Sequence, residues 1–524
     1  MFECPSCAHN IKFDIASQQM KCEACESMFD PYAIRREVDA ESSEYYETNV
    51  FTCPQCGGQI ISDNTEAATF CLFCGSSTIL MERISKERRP DYIIPFQKTK
   101  EDCKKAYKKM MRKAFFVPKE YKKEEFIDGF KGVYMPYWSY CFSKEGEVGL
   151  TGRTSKRDGD YLITNKYHLT GDISTEINGD SYDAATSFYD DISVGLIPYE
   201  FEGRKEFTPS FMSGFYADCA DVGYELYLKD AEDYAKQETN WNLKRIFNEY
   251  DLAQKLSFEM DMRADRTLYP VWFMSHRTDD RVSYATVNGQ TGKVVADLPM
   301  DKRKFLMGSF LLAVPIFVLL NFLFMFNFRE SVALGLFMLF LSLIVYASEL
   351  NAIFEKENFW NDKAVLNQRR ELKSRKKKQK KANAKIPGEV FVDLFGIRFD
   401  NGWKVSGFLI FFFLLGLMIA FATETTLWPV TAFFAYFGMR SVRGQLTKFK
   451  RGKNPFAVVL SVLALIAAMA VLLINPVHDW WYYGATILSL VAVAVNFIYI
   501  IKDYNRLAMR KLPQFNKKGG DDCA

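Results

Sequence analysis

Histidine is scarce: His9, His168, His276 and His478 are the whole complement of a 524-residue chain. No HExxH, GxSxG or GxGxxG pattern occurs, which removes the motif-borne metalloprotease, α/β-hydrolase and dinucleotide-binding chemistries. Gly289, Gly292 and Lys293 are too closely spaced for a phosphate loop, and Val294 stands where Ser or Thr is required. Residues 1–10 lack a charged-then-apolar leader, so the first 300 residues are expected to stay in the cytoplasm. Basic residues are also missing where cysteines cluster. Residues 1–30 hold two basic against five acidic side chains, and residues 51–80 hold no basic residue against Asp63 and Glu66. Phosphate backbones need Lys and Arg, so nucleic acid is an unlikely partner for those segments.

What is present is split by charge. Residues 1–300 carry 37 Lys+Arg against 49 Asp+Glu, whereas residues 301–524 carry 30 against 15. The second part holds uncharged runs at residues 305–328, 331–348, 405–423, 425–439, 454–478 and 480–501. Runs of about 18 or more can cross roughly 30 Å of hydrocarbon as helix, and the short fourth run is retained on loop charge. Fourteen basic residues fall in 351–404, six in 440–453 and six in 502–518, while Arg329 alone would lie outside. This positive-inside pattern predicts an all-α domain of six spans in three hairpins, multi-pass in a bacterial cytoplasmic membrane with both termini cytoplasmic. Lys376, Lys377, Lys378, Lys380 and Lys381 are the expected contacts for lipid headgroups. The runs carry no ionisable group at mid-depth, which disfavours a transporter, and Asn321, Asn496, Ser342, Ser461 and Ser489 are read as helix-joining polar residues.

Cysteine provides the sharpest pattern. Cys4, Cys7, Cys22 and Cys25 read C-x2-C, fourteen residues, C-x2-C; Cys53, Cys56, Cys71 and Cys74 repeat that spacing 49 residues later. Phe2, Pro5 and Ile11 recur as Phe51, Pro54 and Ile60 at the same offset, which marks an internal duplication. A two-residue gap turns both thiolates of a knuckle toward one ion, and two knuckles complete a tetrahedral S4 site. Two structural Zn2+ sites are expected, each replacing the core that some thirty residues cannot build.

The predicted organisation is zinc ribbon 1 at 1–34, a linker at 35–50, zinc ribbon 2 at 51–82 and a cytoplasmic α+β domain at 83–300. Membrane hairpins at 301–348, 405–439 and 454–501 then alternate with basic loops at 349–404 and 440–453, before a tail at 502–524. Residues 98–116 form an amphipathic helix with Cys103, Tyr107, Met110 and Met111 on one face and lysines on the other. Strands are expected at 132–142, 146–153, 161–170, 267–276 and 281–287, the last leading into an Asn288-Gly289 hairpin. Residues 230–263 read as one or two charged helices. Cys103, Cys141, Cys219 and Cys523 are read as small buried or terminal residues.

The quartets, Ile94-Pro95-Phe96, Gly132-Val133-Tyr134-Met135-Pro136-Tyr137-Trp138, Tyr269-Pro270-Val271-Trp272 and the Asn288-to-Lys293 hairpin together resemble a family of bacterial membrane proteins. Its members, the YdjG-like proteins among them, combine a TFIIB-type zinc ribbon, a cytoplasmic domain and C-terminal spans. Relatives are often labelled primosomal helicase-like, although this chain has none of a helicase's nucleotide-binding motifs. The resemblance implies recruitment of phage-shock-type or SPFH-domain proteins to the bilayer. The expectation is therefore a non-enzymatic, zinc-binding membrane adaptor with lipids and cytoplasmic or membrane proteins as partners and a homo-oligomer allowed. The alternatives are a transporter, channel or sensor subunit and, third, a nucleic-acid-binding membrane protein. This chain departs from the pattern in having two ribbons, the first with Ala8 where the second has Gly57.

Overall fold

The computed structural model describes residues 2–34, 44–62, 70–77, 80–252, 260–323, 327–357, 362–364 and 456–515. The first cysteine quartet brackets a small antiparallel sheet of β1 (Ile11–Asp14), β2 (Gln19–Cys22) and β3 (Met28–Phe29). The thirteen other described strands belong to one large sheet.

That sheet begins around the second quartet. β4 (Tyr45–Thr52), before Cys53, pairs with β5 (Gln59–Ser62), between Cys56 and Cys71, and with β6 (Met81–Arg88), all antiparallel. β7 (Tyr92–Ile93) leads through Ile94-Pro95-Phe96 to α1 (Lys100–Lys113). Thr99 caps α1: its hydroxyl accepts from the Asp102 N–H while the Asp102 carboxylate accepts from the Thr99 N–H, satisfying two end donors reciprocally. Cys103, Tyr107 and Met111, four residues apart, are the buried stripe. On the opposite face Lys104 pairs with Glu101 and Asp128 at 2.8 Å, and Lys108 with Glu124 at 2.6 Å, the last from α2 (Glu124–Ile127). The basic face thus balances this domain's own carboxylates.

The centre of the sheet is β8 (Lys131–Asp158), a 28-residue strand that takes in two expected strands at once. It pairs with β9 (Tyr161–Asp183) in a hairpin and, from Lys131 to Ser143, antiparallel with β13 (Asp261–Thr278). Between them lie α3 (Asp190–Leu196), β10 (Lys205–Glu206), β11 (Tyr216–Asp218), α4 (Leu228–Ile246) and β12 (Asp251–Leu252). Residues 230–263 are therefore part helix and part strand, because the helical pattern of α4 ends at Ile246 and alternation resumes at Asp261. β14 (Arg281–Asn288) extends the sheet beyond β13 and carries β15 (Val294–Ala296).

The motifs that carry the family resemblance, the cysteine quartets apart, converge on one ring, Phe96. It stacks on Phe215 at 4.6 Å and meets Tyr134 and Trp272 at 5.1 Å. Gly289 lets the hairpin approach that ring, since an added Cβ would lie 2.6 Å from it. The Trp272 indole N–H donates to the Lys98 carbonyl, and the Gln97 and Lys98 N–H groups donate to the Gly289 carbonyl.

Beyond the sheet follow α5 (Lys302–Leu323), α6 (Phe328–Glu357), α7 (Phe456–Ile474) and α8 (Trp480–Ala508), then β16 (Arg510–Lys511), which returns to β14. Val332, Leu336, Leu339 and Leu343 of α6 share a buried core with Ala464 and Ala468 of α7 and with Ala485 and Ala492 of α8. Inside it the Asn496 amide donates to Ser342 at 2.9 Å and to Ser461 at 3.1 Å, joining three helices.

Two expectations are corrected here. The described residues do not form the expected all-α domain of six membrane spans: among them one helix, Trp480–Arg506, is long and apolar enough to cross a membrane, and Val459–Ile474 is a shorter apolar helix. The architecture is dominated by the thirteen-stranded sheet, and the multi-pass placement in a bacterial cytoplasmic membrane falls with the six-span count. The physical reason lies in the signal itself: an uncharged run also describes a helix that packs on its neighbours, as the buried leucines of α6 do. The tail expected at 502–524 is likewise helix to Ala508 and strand at Arg510–Lys511. The expected spans at 405–423 and 425–439, the basic loop at 440–453, the loop at 349–404 apart from residues 349–357 and 362–364, and the headgroup lysines Lys376, Lys377, Lys378, Lys380 and Lys381 lie outside the described residues.

Candidate metal centres

Each C-x2-C pair forms the same knuckle. The N–H of the first cysteine donates to the carbonyl five residues on, and its own carbonyl accepts from the N–H four residues on. This holds for Cys4 with His9 and Ala8, Cys22 with Ser27 and Glu26, Cys53 with Gly58 and Gly57, and Cys71 with Ser76 and Gly75. The fourth residue beyond each first cysteine adopts positive φ: Ala8 56°, Glu26 57°, Gly57 75° and Gly75 66°. Glycine suits that conformation and other residues do so at a cost, so the second quartet has the better-matched sequence.

The knuckles bring four sulfurs together twice. Cys4 and Cys25 stand 3.6 Å apart, Cys7 and Cys22 3.5 Å, Cys53 and Cys74 3.8 Å, and Cys56 and Cys71 3.6 Å. Within each quartet all sulfurs lie within 4.8 Å of one another. A tetrahedral thiolate shell with metal–sulfur bonds of about 2.3 Å has edges of about 3.8 Å, so both quartets fit a metal ion without rearrangement.

Electrostatics point the same way. In the second quartet hydrogen bonds with Cys56, Cys71 and Cys74 pull the Cys53 thiol far below its ordinary range, and the contact with Cys53 pushes Cys56 and Cys71 far above it. A divalent ion held by these four cysteines would replace those shared protons and let all four sulfurs ionise. In the first quartet the Ser27 hydroxyl, 3.3 Å from the sulfur, and the Ser27 N–H draw the Cys25 thiol down to about 6.

The two copies differ in surroundings. All four cysteines of the second quartet are buried; in the first, Cys4 and Cys22 are buried while Cys7 and Cys25 are exposed. The first site is docked on the body through its inner edge: the Ser213 hydroxyl donates to the Ile11 carbonyl, the Gln18 amide donates to the Phe96 carbonyl, and Phe13 meets Phe211 at 5.2 Å. Its outer edge presents Glu23, Glu26 and a half-exposed Met28 to solvent. Of the ribbon aromatics, Phe2, Phe13, Phe51 and Phe73 are buried and Phe29 and Phe70 partly so, serving as core.

The second site is enclosed by the rest of the chain. Phe73 lies over Gly58, where an added Cβ would approach it to 2.5 Å, and its carbonyl accepts from the Tyr284 hydroxyl at 2.6 Å. The C-terminal segment supplies a lid that sequence reasoning missed. The Phe515 N–H donates to the Cys56 carbonyl at 2.7 Å, and its ring meets Phe73 at 5.6 Å. Arg510 anchors this segment, donating bidentately to Asp191 at 2.9 and 2.7 Å and to Asp297 at 2.9 Å beneath the Tyr189 ring. Arg510 and Asp297 are 6% and 14% exposed, so removing Asp297 costs roughly 3–5 kcal/mol, whereas Asp191 is half exposed and its pair contributes less. Apolar Leu512 and Phe515 amid polar neighbours were the available signal.

The other scattered groups are not assembled into a site. Cys103, Cys141 and Cys219 are buried singly, and burial pushes the Cys103 thiol up; Cys523 lies outside the described residues. His276 sits between the Tyr121 and Phe126 rings, and burial lowers its pKa.

No family model and no solved structure matches the chain. It is similar to a protein of Bacillus subtilis (strain 168) that bears the name uncharacterized protein YdjG, 26% identical over 310 residues that make up 58% of this chain and 91% of that one.

Proposed function

We propose that the chain is a non-enzymatic docking scaffold whose two TFIIB-type ribbons hold structural zinc and whose first ribbon presents the surface that other proteins bind. The observation that carries this reading is the unequal use of a duplicated site: one copy is enclosed by the sheet and the C-terminal segment, the other leaves two of its four ligands facing solvent. A closed S4 shell offers no open coordination position for catalysis, so the metal acts on folding and shape. Tetrahedral S4 shells suit zinc, a borderline-soft ion with no redox chemistry of its own. The exposed Glu23, Glu26 and Asp30 around Cys25 suit a partner with a basic face, and the class put forward for it, membrane-stress proteins of the SPFH and phage-shock types, comes from the resemblance carried by the sequence motifs. The helix Trp480–Arg506 is the candidate anchor.

The test is crosslinking and affinity purification of the full chain from its native cells, comparing wild type with Cys7→Ser/Cys25→Ser and with Cys53→Ser/Cys56→Ser. The first variant is expected to keep the body folded, with the main thermal transition within a few degrees of wild type, and to lose specific partners. The second is expected to lower that transition outright. Partners recovered unchanged by a folded Cys7→Ser/Cys25→Ser chain would remove the first ribbon from the docking role.

A further inference from the structure

The hairpin of β8 and β9 outruns the sheet. Pairing with β13 stops at Ser143, yet β8 and β9 continue together to the rung of Asp158 with Tyr161. At roughly 3.3 Å per residue, this arm of fifteen rungs is about 50 Å long. Two-stranded ribbons are marginal in water, and this one is met on its β8 side by β12 over two rungs, Asp251 with Arg153 and Leu252 with Gly152. Along its outer edge β9 pairs with no strand among the described residues.

Such an edge is a template for another strand, and proteins ordinarily blunt it with proline, bulges or several lysines. From Tyr161 to Glu176 there is no proline and a single lysine, Lys166, in a run rich in Tyr, Ile, Leu and Thr. Register shifts in the hairpin are confined to its base, at Tyr140 and Cys141. The edge is therefore free of register shifts beyond its base, strand-favouring and open among the described residues.

The composition of β9 specifies what fits. Alternate residues share a face, so Tyr161, Ile163, Tyr167, Leu169, Ile173 and Ile177 form an apolar stripe, with Tyr161 79% and Ile163 50% exposed. The other face carries Lys166 toward the tip and Asp172 and Glu176 toward the base, all exposed. Around them Arg153, Lys156 and Arg157 outnumber Asp158 and Asp160 and make the tip basic on balance, while Glu145 and Glu147 outnumber Lys144 and make the base acidic. Laid antiparallel on a second β9, the basic half of each strand meets the acidic half of the other. Registers that centre the two-fold on Leu169 or on Gly171 set Lys166 opposite Asp172 or Glu176, and in both the apolar residues remain on one face.

We infer that the outer edge of β9, from Tyr161 to Glu176, pairs antiparallel with the same strand of a second copy, making the chain a two-fold dimer through its arms. Unlike charges opposite one another stabilise a cross-strand pair and like charges oppose it, so the interface is breakable and repairable by charge reversal.

The experiment is sedimentation of the full chain in a mild detergent, with circular dichroism and bound metal measured on every sample. Wild type is expected at twice the chain mass. Lys166→Glu, and separately Asp172→Lys/Glu176→Lys, are expected at the monomer mass with unchanged dichroism and metal. An equimolar mixture of the two variants is expected to return to the dimer mass, because each reversed charge then faces its complement. A monomeric wild type, dimers that persist in both variants, or monomers that stay monomers on mixing would each overturn the inference. Partner recovery through the first ribbon is a separate readout, so failure of either idea is visible without the other.

Discussion

At the residue scale, four positions follow from one backbone turn. Ala8, Glu26, Gly57 and Gly75 occupy the same place in four equivalent knuckles, all at positive φ. A non-glycine residue there costs roughly 1–2 kcal/mol against the left-handed conformation, partly offset by roughly 0.4–1 kcal/mol from its smaller unfolded-state entropy. Glu26→Gly is thus expected to raise the unfolding free energy of the first ribbon by about 0.5–1 kcal/mol. Gly75→Ala is expected to lower that of the body by more, because its Cβ would also crowd Arg277 at 3.1 Å. Denaturant unfolding of metal-loaded protein measures both; equal and negligible effects would contradict the shared-knuckle account. The cysteines themselves were legible from spacing alone, because a metal knuckle is a local structure. Which quartet would be buried was not, since that depends on Tyr284 and Phe515, more than two hundred residues away.

At the scale of elements, the hairpin after β14 shows how far a local signal reaches. Asn288-Gly289 announces a turn, and the turn is there, closed by the Asn288 N–H donating to the Lys293 carbonyl at 2.8 Å. What the sequence pattern does not contain is the use of that turn. The buried Asn288 amide donates to the Leu196 and Pro198 carbonyls, and its oxygen accepts from the Gln290 and Thr291 N–H groups. The Gln290 side chain both donates to the Glu200 carbonyl and accepts from its N–H. Two amides therefore hold the loop that follows α3 against the sheet, some ninety residues away in sequence. Asn288→Ala leaves buried carbonyls without donors, so it is expected to cost about 2–4 kcal/mol, read as a lower denaturation midpoint at unchanged slope. A change under about 0.5 kcal/mol would mean that the loop is held by packing alone. Strand positions were similarly legible from alternation, while the merging of two expected strands into β8 was not: Ser143, Lys144 and Glu145, which separate them, are strand residues too. In the structure Gly146 takes φ 130° within the strand, and Gly152 makes room for Tyr250 and Leu169.

At the scale of the molecule, the distribution of charge was visible in composition and the topology was not. The acidic first 300 residues contain nearly all of the thirteen-stranded sheet, and the apolar runs do become helices where they are described. Counting uncharged residues could not separate a helix that crosses a membrane from one buried against α7 and α8, and the six-span reading failed there. The return of β16 and Phe515 to the sheet ties the end of α8 to the second cysteine quartet through Arg510. Helical layer, sheet and metal centre are thereby linked by contacts distant in sequence.

The central claim is that two closed S4 centres staple this fold, the buried one being integral to the sheet. Elemental analysis of the purified full chain, alongside its thermal unfolding, tests this most directly. The account predicts two zinc ions per chain in wild type and one in either double-serine variant, with a large loss of thermal stability confined to Cys53→Ser/Cys56→Ser. A wild-type chain that carries no metal yet unfolds at the same temperature with and without added chelator would contradict it.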